Sequence, residues 1–581
     1  MSVTLQRRAV PTLALAAVLC SATLAACSVP APTADRPSAA APATQRAEGP
    51  RLAATNPHPR EQLAAGGTLT LPLDTFPDVW NLSHAAGAEA DLGLVTSATD
   101  PVLYDYTPDG HVRARPEFLT ALPTQTQRDG RQVVTYDLNP AATWNDGTPI
   151  DHRPFEAMWR VSRQGYRPGG FETVAPPGYA SIESITAGRD PHQVAVTFRP
   201  GHEVHPVTDL FTSLLHPAAA ASPAVFNDGF RGAAFHPEWR AGPYTLERLD
   251  TSGRTLTLTR NPAWWGRRPV LDRLVFRQLE DSATITAFAA HELDATQVTT
   301  RARYAQVQSV DDLDIRRSQR LTTGVLVFNS RHPVLSDITV RKALWQAIDR
   351  EQWKKVRYEG MNWVEDPIGS AMYFGFQPQA RNNMPMGFDL AGARATLQSA
   401  GYTLGSDGVF TKGGTRLVVD YTSFGDDPLT TALDQTLKKQ LAAAGVELRI
   451  ENVTYQAFLS ALDDRDFGMA SLGLVATTPS PVGSACQAMC SDNPFNLSGV
   501  GTAELDGRIK ALGGIADAAA QAEQVNAVEK SWLALYGQLP LAHGPDIWAY
   551  RRGVANLGPA AFAGVKPHWE DVGWLRTAAG S

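Results

Sequence analysis

Several absences bound this 581-residue chain before any motif is read. No run of Lys or Arg exceeds two or three residues, and the formal charge is -7. The basic face that a nucleic-acid binder needs is therefore missing. Beyond residue 27 no stretch offers the roughly 18 consecutive apolar residues of a membrane span, so the body is expected to be soluble. Catalytic signatures are missing too: no Gly-x-Ser-x-Gly elbow, no phosphate-binding Gly-rich loop, no His-Glu-x-x-His. His291-Glu292 lacks a second histidine, and the pairs Asp426/Asp427 and Asp463/Asp464 are adjacent carboxylates that point apart. No enzyme activity and no cofactor is expected. No internal repeat is found.

Cysteine is scarce, with four in all, and its placement is informative. Residues 1–26 carry Arg7 and Arg8, an apolar stretch from Val10 to Leu24 and then small residues, the three-part pattern of an export signal. Leu24-Ala25-Ala26-Cys27 resembles the bacterial lipobox, in which the cysteine takes a diacylglycerol and becomes the first mature residue. Two acyl chains suffice for stable anchoring. Ser28 to Gly67 holds seven prolines, eleven alanines and no Phe, Tyr or Trp, and reads as a flexible tether. Cys20 leaves with the signal. Cys486 and Cys490 remain as an even pair in an oxidising compartment, expected to form a disulfide in the Ser484–Asn493 loop; a metal site would need further ligands.

What is present is globular: 43% hydrophobic and 19% charged residues exclude wholesale disorder. Length sets a prior of three to four domains. Alternation predicts strands over 67–74, 130–138, 190–199, 252–260, 323–329, 416–422, 447–453 and 467–474. Helical spacing is read over 155–161, 337–350, 390–400, 428–444 and 455–463. The class is α/β, with a β-richer first half.

Trp144-Asn-Asp-Gly-Thr-Pro149 is by itself a tight turn, Asp-Gly supplying the positive-φ position. It also resembles the turn near the start of extracytoplasmic solute-binding proteins of the peptide/nickel class, receptors of ATP-driven importers. Further blocks follow in the same order as in that family. They are Gly242-Pro243-Tyr244, Arg260-Asn261-Pro262-x-Trp264-Trp265, Glu292-Leu293-Asp294, Phe328-Asn329, Val340-Arg341-Lys342-Ala343-Leu344, Ala347-Ile348-Asp349-Arg350, Leu397–Gly401 and Leu441–Val446. The wording is most similar to actinobacterial oligopeptide-binding lipoproteins.

The resemblance implies a two-lobed type II periplasmic-binding-protein fold with an extra domain inserted in the first lobe. The expected layout is a signal at 1–26 and a lipidated linker at 27–66. Lobe I follows from 67–100, 204–310 and 542–581, the inserted domain from 101–203, and lobe II from 311–541. It also implies an importer-coupled receptor that closes over an oligopeptide, with permease subunits as partners, a lipid anchor as the sole membrane contact, and a monomeric state. In the family an Asp that holds the peptide amino terminus follows a Gly-Trp pair. Here Gly473 fits, Leu474 replaces the Trp, and Thr477 stands where the Asp is expected. Ala157 stands where a cleft tyrosine is expected. The pocket is thus read as roomier and less suited to a free amine, leaving three openings. An acid such as Asp426, Asp427 or Asp492 supplies the charge, or the ligand is amino-blocked or not a peptide. In the third, the chain is a non-transporting envelope lipoprotein that regulates glycolipid synthesis through a protein partner. Candidate ligand contacts are Trp80, Asn81, His84, Phe424, Gly473, Leu474, Val475, Thr477 and His543, with Trp363 more often packing.

Overall fold

The computed structural model describes residues 52–576, apart from 168, 174–176, 321, 426, 476–477 and 563. The export signal, Cys27, Asp426 and Thr477 lie outside the described residues.

Two lobes are recognised by their sheets and cores, and the fold is the expected α/β, two-lobed type II arrangement. In lobe I, Thr68–Leu73 pairs in parallel with Arg273–Gln278, and Thr255–Arg260 and Tyr244–Asp250 complete a four-stranded sheet. Alternation buries Leu69, Leu71 and Leu73 with Leu256, Leu258, Leu274 and Phe276. A three-stranded sheet follows, with Pro545–Arg551 between Ala295–Gln297 and Leu313–Gln319. Lobe I is therefore finished by a strand close to the C-terminus. Because Leu313–Gln319 pairs into this sheet, lobe I reaches past 311, where lobe II had been expected to begin.

The region inserted in lobe I is built on the antiparallel sheet Thr124–Arg128, Arg131–Asp137, Gln193–Phe198 and Ile182–Ala187, covered by the helix His152–Ser162. Its core runs from Leu103 to Leu214 and takes in Ala241, beyond the expected boundary at 203. The Trp144–Pro149 segment is a turn. Gly147 has φ +86, and Asp146 Oδ1 accepts the Thr148 N–H at 2.9 Å.

Lobe II is organised on a five-stranded sheet ordered Glu447–Val453, Val418–Phe424, Met469–Val475, Thr322–Phe328, Gln538–Ala542. Helices Ile338–Ala347, Leu390–Ser399 and Pro428–Ala444 pack on it through Val340, Leu344, Leu397, Leu437 and Leu441. The helix expected over 337–350 is observed as Ile338–Ala347, ending before Arg350. Asp337 caps it, and Asp349 accepts the N–H groups of Glu351 and Gln352 to start a second, Arg350–Tyr358. A short polar side chain that competes for backbone donors ends one helix and begins the next.

The tether expected through residue 66 gives way to ordered contacts from residue 52 onward. Leu63 is buried against Val270, Ala555 and Leu575, and bridges join Ala53 to Ala560 and Leu63 to Leu575. Composition cannot reveal such a partner, which lies some five hundred residues away.

Candidate functional site

Among the described residues, two crossings between the lobes lie together. Leu313–Gln319 of lobe I leads into Thr322–Phe328 of lobe II, and Gln538–Ala542 of lobe II leads back into Pro545–Arg551 of lobe I. The two crossings lie side by side, the Arg320 N–H donating to the Gly544 carbonyl at 2.8 Å. Gly544 is in the left-handed region at φ +78, and a Cβ there would collide with the Tyr358 hydroxyl. Glycine meets both demands at once.

Glu365 fixes the second crossing. Its Oε1 accepts the His543 N–H at 3.1 Å, and its Oε2 accepts the Gly544 N–H at 2.7 Å and the Trp363 indole N–H at 3.1 Å. Trp363 thus packs and orients this carboxylate rather than facing the gap. Burial pushes the Glu365 carboxyl up.

At the end of the lobe II sheet nearest the crossings, five of the expected contacts come together: Phe424, Gly473, Leu474, Val475 and His543. The parallel strands Glu447–Val453, Val418–Phe424 and Met469–Val475 all point their C-terminal ends here, the side where open α/β sheets place ligands. Phe424 ends its strand 39% exposed, against Tyr455 and Phe458. Gly473 is exposed and pairs with Gly324, and Leu474 pairs with Thr323. A Cβ at Gly473 would come within 2.8 Å of Thr322 Cγ2. Val475 pairs with Thr322. His543 is buried, shares a 3.2 Å hydrogen bond between Nδ1 and Thr323 Oγ1, and lies 4.6 Å from the Phe374 ring. Burial lowers its pKa to about 4, so it is neutral at ordinary pH.

Pairing along Met469–Val475 is asymmetric. On one side it is matched to Thr322–Phe328 over its whole length. On the other, Val418–Phe424 pairs only with Met469 and Ala470. Among the described residues, Ser471–Val475 therefore keeps one main-chain edge without a strand partner.

The loop at 80–84 is turned inward instead. Trp80 is 1% exposed, packed between Phe76 and Phe235, with its indole N–H on the Gly232 carbonyl. Asn81 is buried and donates to the Phe226 carbonyl. His84 caps a short turn by accepting the Ala86 N–H, and its ring lies against Phe226. Their aromatic and polar character serves the lobe I interior, so the position over the cleft expected for them is corrected. Ala157 is likewise inside the inserted region, against Val161, Ala220 and Phe226.

Cys486 and Cys490 form the expected disulfide, carried by the helix Val482–Met489 and its capping residue rather than by a loop. Asp492 lies near the sulfurs but pairs with Lys510 at 2.8 Å, and disulfide sulfurs are not thiolate ligands. Of the acids named as substitutes for the missing aspartate, Asp427 caps the helix Pro428–Ala444 by accepting two N–H groups. Asp492 is held by Lys510. Neither faces the gap with an unused charge.

Sequence reasoning missed Glu365 and also Asp546, which sits two residues past Gly544. Its Oδ1 accepts from Gln297 Nε2 at 3.1 Å and from the Trp548 indole at 3.0 Å. The lobes also touch away from the crossings. Phe562 packs on Phe374 and Phe376, and the His205 N–H donates to the Gly513 carbonyl at 2.9 Å.

Comparison with known proteins agrees with this geometry. Residues 115–495 match the family described as bacterial extracellular solute-binding proteins, family 5, and the chain belongs to that family. It is 28% identical over 550 residues, 94% of this chain and 90% of the relative, to the oligopeptide-binding protein OppA of Mycobacterium tuberculosis. It is 26% identical over 398 residues, 67% of this chain and 58% of the relative, to the probable monoacyl phosphatidylinositol tetramannoside-binding protein LpqW of the same species. Among solved structures, the periplasmic EDTA-binding protein EppA shares the fold with a TM-score of 0.77 at 21% identity, covering 90% of this chain and 98% of that one. Members of the family bind solutes rather than transform them. Among the described residues no helix is long and apolar enough to cross a membrane.

Proposed function

We propose that this protein captures oligopeptides between its lobes and hands them to a membrane permease, held at the outer face of the cytoplasmic membrane by a lipid on Cys27. The observation that carries the reading is the edge of Ser471–Val475 that lacks a strand partner. An extended peptide can add its main chain to such an edge, gaining affinity with little dependence on sequence. The side chains around that edge are small or apolar, namely Gly473, Leu474 and Phe424, which suits varied ligand side chains. Closure about the paired crossings would exclude water from the bound chain. The 28% identity to an oligopeptide-binding protein over nearly the whole chain supports the same ligand class.

A second reading has its own support. LpqW is named for a glycolipid, and its similarity extends over 67% of this chain. In that reading the protein is an envelope lipoprotein that regulates glycolipid synthesis through a protein partner.

Thermal unfolding with a panel of three- to nine-residue peptides separates the two. Under the first, the midpoint rises with peptide concentration, as mass action requires for any ligand that favours the folded state, and small-angle scattering shows compaction. An unmoved midpoint throughout the panel would exclude peptide capture and favour the second.

A further inference from the structure

We propose that Asp546 is the carboxylate that receives a protonated amine of the ligand, taking the part that Thr477 cannot play. The inference rests on the peptide reading above and specifies it.

Asp546 opens the strand Pro545–Arg551, immediately after the second crossing. Strand alternation places Asp546, Trp548 and Tyr550 on one face. Trp548 and Tyr550 belong with the lobe I core, whereas Ile547 and Ala549 pack on the opposite side with Phe288 and Val307. Asp546 is thus the member of its face nearest the second crossing, where the lobe I core stops. His543, on the lobe II sheet edge, is three residues back along the chain, about 10 Å at most. An amine on Asp546 would leave the rest of an extended ligand within reach of Ser471–Val475.

The carboxylate is built for the role. Gln297 and the Trp548 indole both donate to Oδ1 and fix its orientation. Among the described residues Oδ2 accepts no hydrogen bond, and the side chain keeps an accessible face. Arg320 on the first crossing acts on it electrostatically and favours its charged form; among the described residues no ion pair joins the two. Protein otherwise encloses the group, and burial raises its pKa. A carboxylate already stripped of much of its water gains strongly from a charged donor.

The test uses the full-length protein and three probes: pentaalanine, N-acetyl-pentaalanine, and an N-acetylated tetraalanine-lysine, whose amine is at the other end. Titration calorimetry on the wild type should show pentaalanine bound about ten-fold or more tighter than its acetylated form, as for one charge-assisted hydrogen bond. Asp546→Asn keeps the Oδ1 acceptor. It should lower pentaalanine affinity by about the same factor and leave the acetylated peptide within about two-fold. The lysine probe tells whether the site requires the main-chain amine or accepts any.

Equal wild-type affinity for free and blocked pentaalanine would overturn the assignment while leaving peptide capture intact. So would an Asn variant that weakens both alike or neither. Wild-type failure to bind any probe would sink both readings. Should the variant not fold, a wild-type pH series decides: the preference for the free amine must shrink as acid protonates Asp546. The charged or titratable groups around it are Arg320, Tyr550 and His543; burial holds Tyr550 far above this range, and His543 acts on both peptides alike.

Discussion

Gly544 and Glu365, 179 positions apart in the chain, meet in a 2.7 Å hydrogen bond that holds one crossing between the lobes. The same carboxylate also takes the N–H of His543 and of the Trp363 indole. Glu365→Ala strands these donors in a buried setting, each costing about 1 to 3 kcal/mol. Urea unfolding should show a loss of about 3 kcal/mol or more in total for the three donors. Glu365→Gln is expected to lie between, because its NH2 group must face an N–H. Stability of the alanine variant within about 0.5 kcal/mol of the wild type would remove the clamp from the account.

His543 makes folding acid-sensitive. Its folded pKa of about 4 lies below the usual 6.5, because burial disfavours the imidazolium. The unfolded chain therefore binds the extra proton between those values, and stability falls as the pH drops from 6.5 towards 4. The shift corresponds to about 3 kcal/mol at full extent. In His543→Gln this part of the pH slope should vanish, as read from unfolding free energies at pH 7 and 4.5. An unchanged slope would mean that another group carries it.

Gly473→Val places a side chain where Thr322 Cγ2 already approaches and beside the edge proposed for ligand. Thr322 can rotate, so stability should fall by only about 1 kcal/mol. Peptide affinity should drop about ten-fold or more, since a ligand strand loses both room and main-chain bonds. Calorimetry alongside thermal unfolding separates the two effects. A stability loss with no change in affinity would place the ligand elsewhere.

Reduction of Cys486–Cys490 opens a ring closed over a separation of four residues. Loop entropy for so short a ring is worth about 2 kcal/mol. Cys486→Ser with Cys490→Ser should cost about that much and leave peptide affinity within about two-fold, because the pair is not on the sheet edge. A large affinity loss would tie the helix Val482–Met489 to binding.

Regular elements with local punctuation were readable from sequence. Pro428–Ala444 is announced by Asp427-Pro428 and closed by Gly445, which the structure places at φ +87. Phe424 and His543 could be placed beside strand ends because the strand pattern was readable, and Gly473 was singled out by the resemblance; the structure puts all three toward one end of the lobe II sheet. Trp80 and Asn81 were not, since a turn rich in aromatic and polar groups reads the same whether it faces water or core. Glu365 carried no signal, because its partners are distant in sequence. Asp546 is a single acid whose value comes only from Gln297, 249 positions away, and from the crossing beside it.

The middle strand of the three-stranded lobe I sheet, Pro545–Arg551, has a consequence for biogenesis. A chain made from its N-terminus presents Ala295–Gln297 and Leu313–Gln319 long before the strand that joins them. Neither flanking strand can pair with its neighbour until more than five hundred residues have emerged. Lobe II is no earlier, because its five-stranded sheet takes in Gln538–Ala542, whereas the four-stranded lobe I sheet is complete by Gln278. The sheets on either side of the crossings are therefore closed together by one late stretch, Gln538–Arg551, and loss of that stretch would leave both lobes unfinished at once.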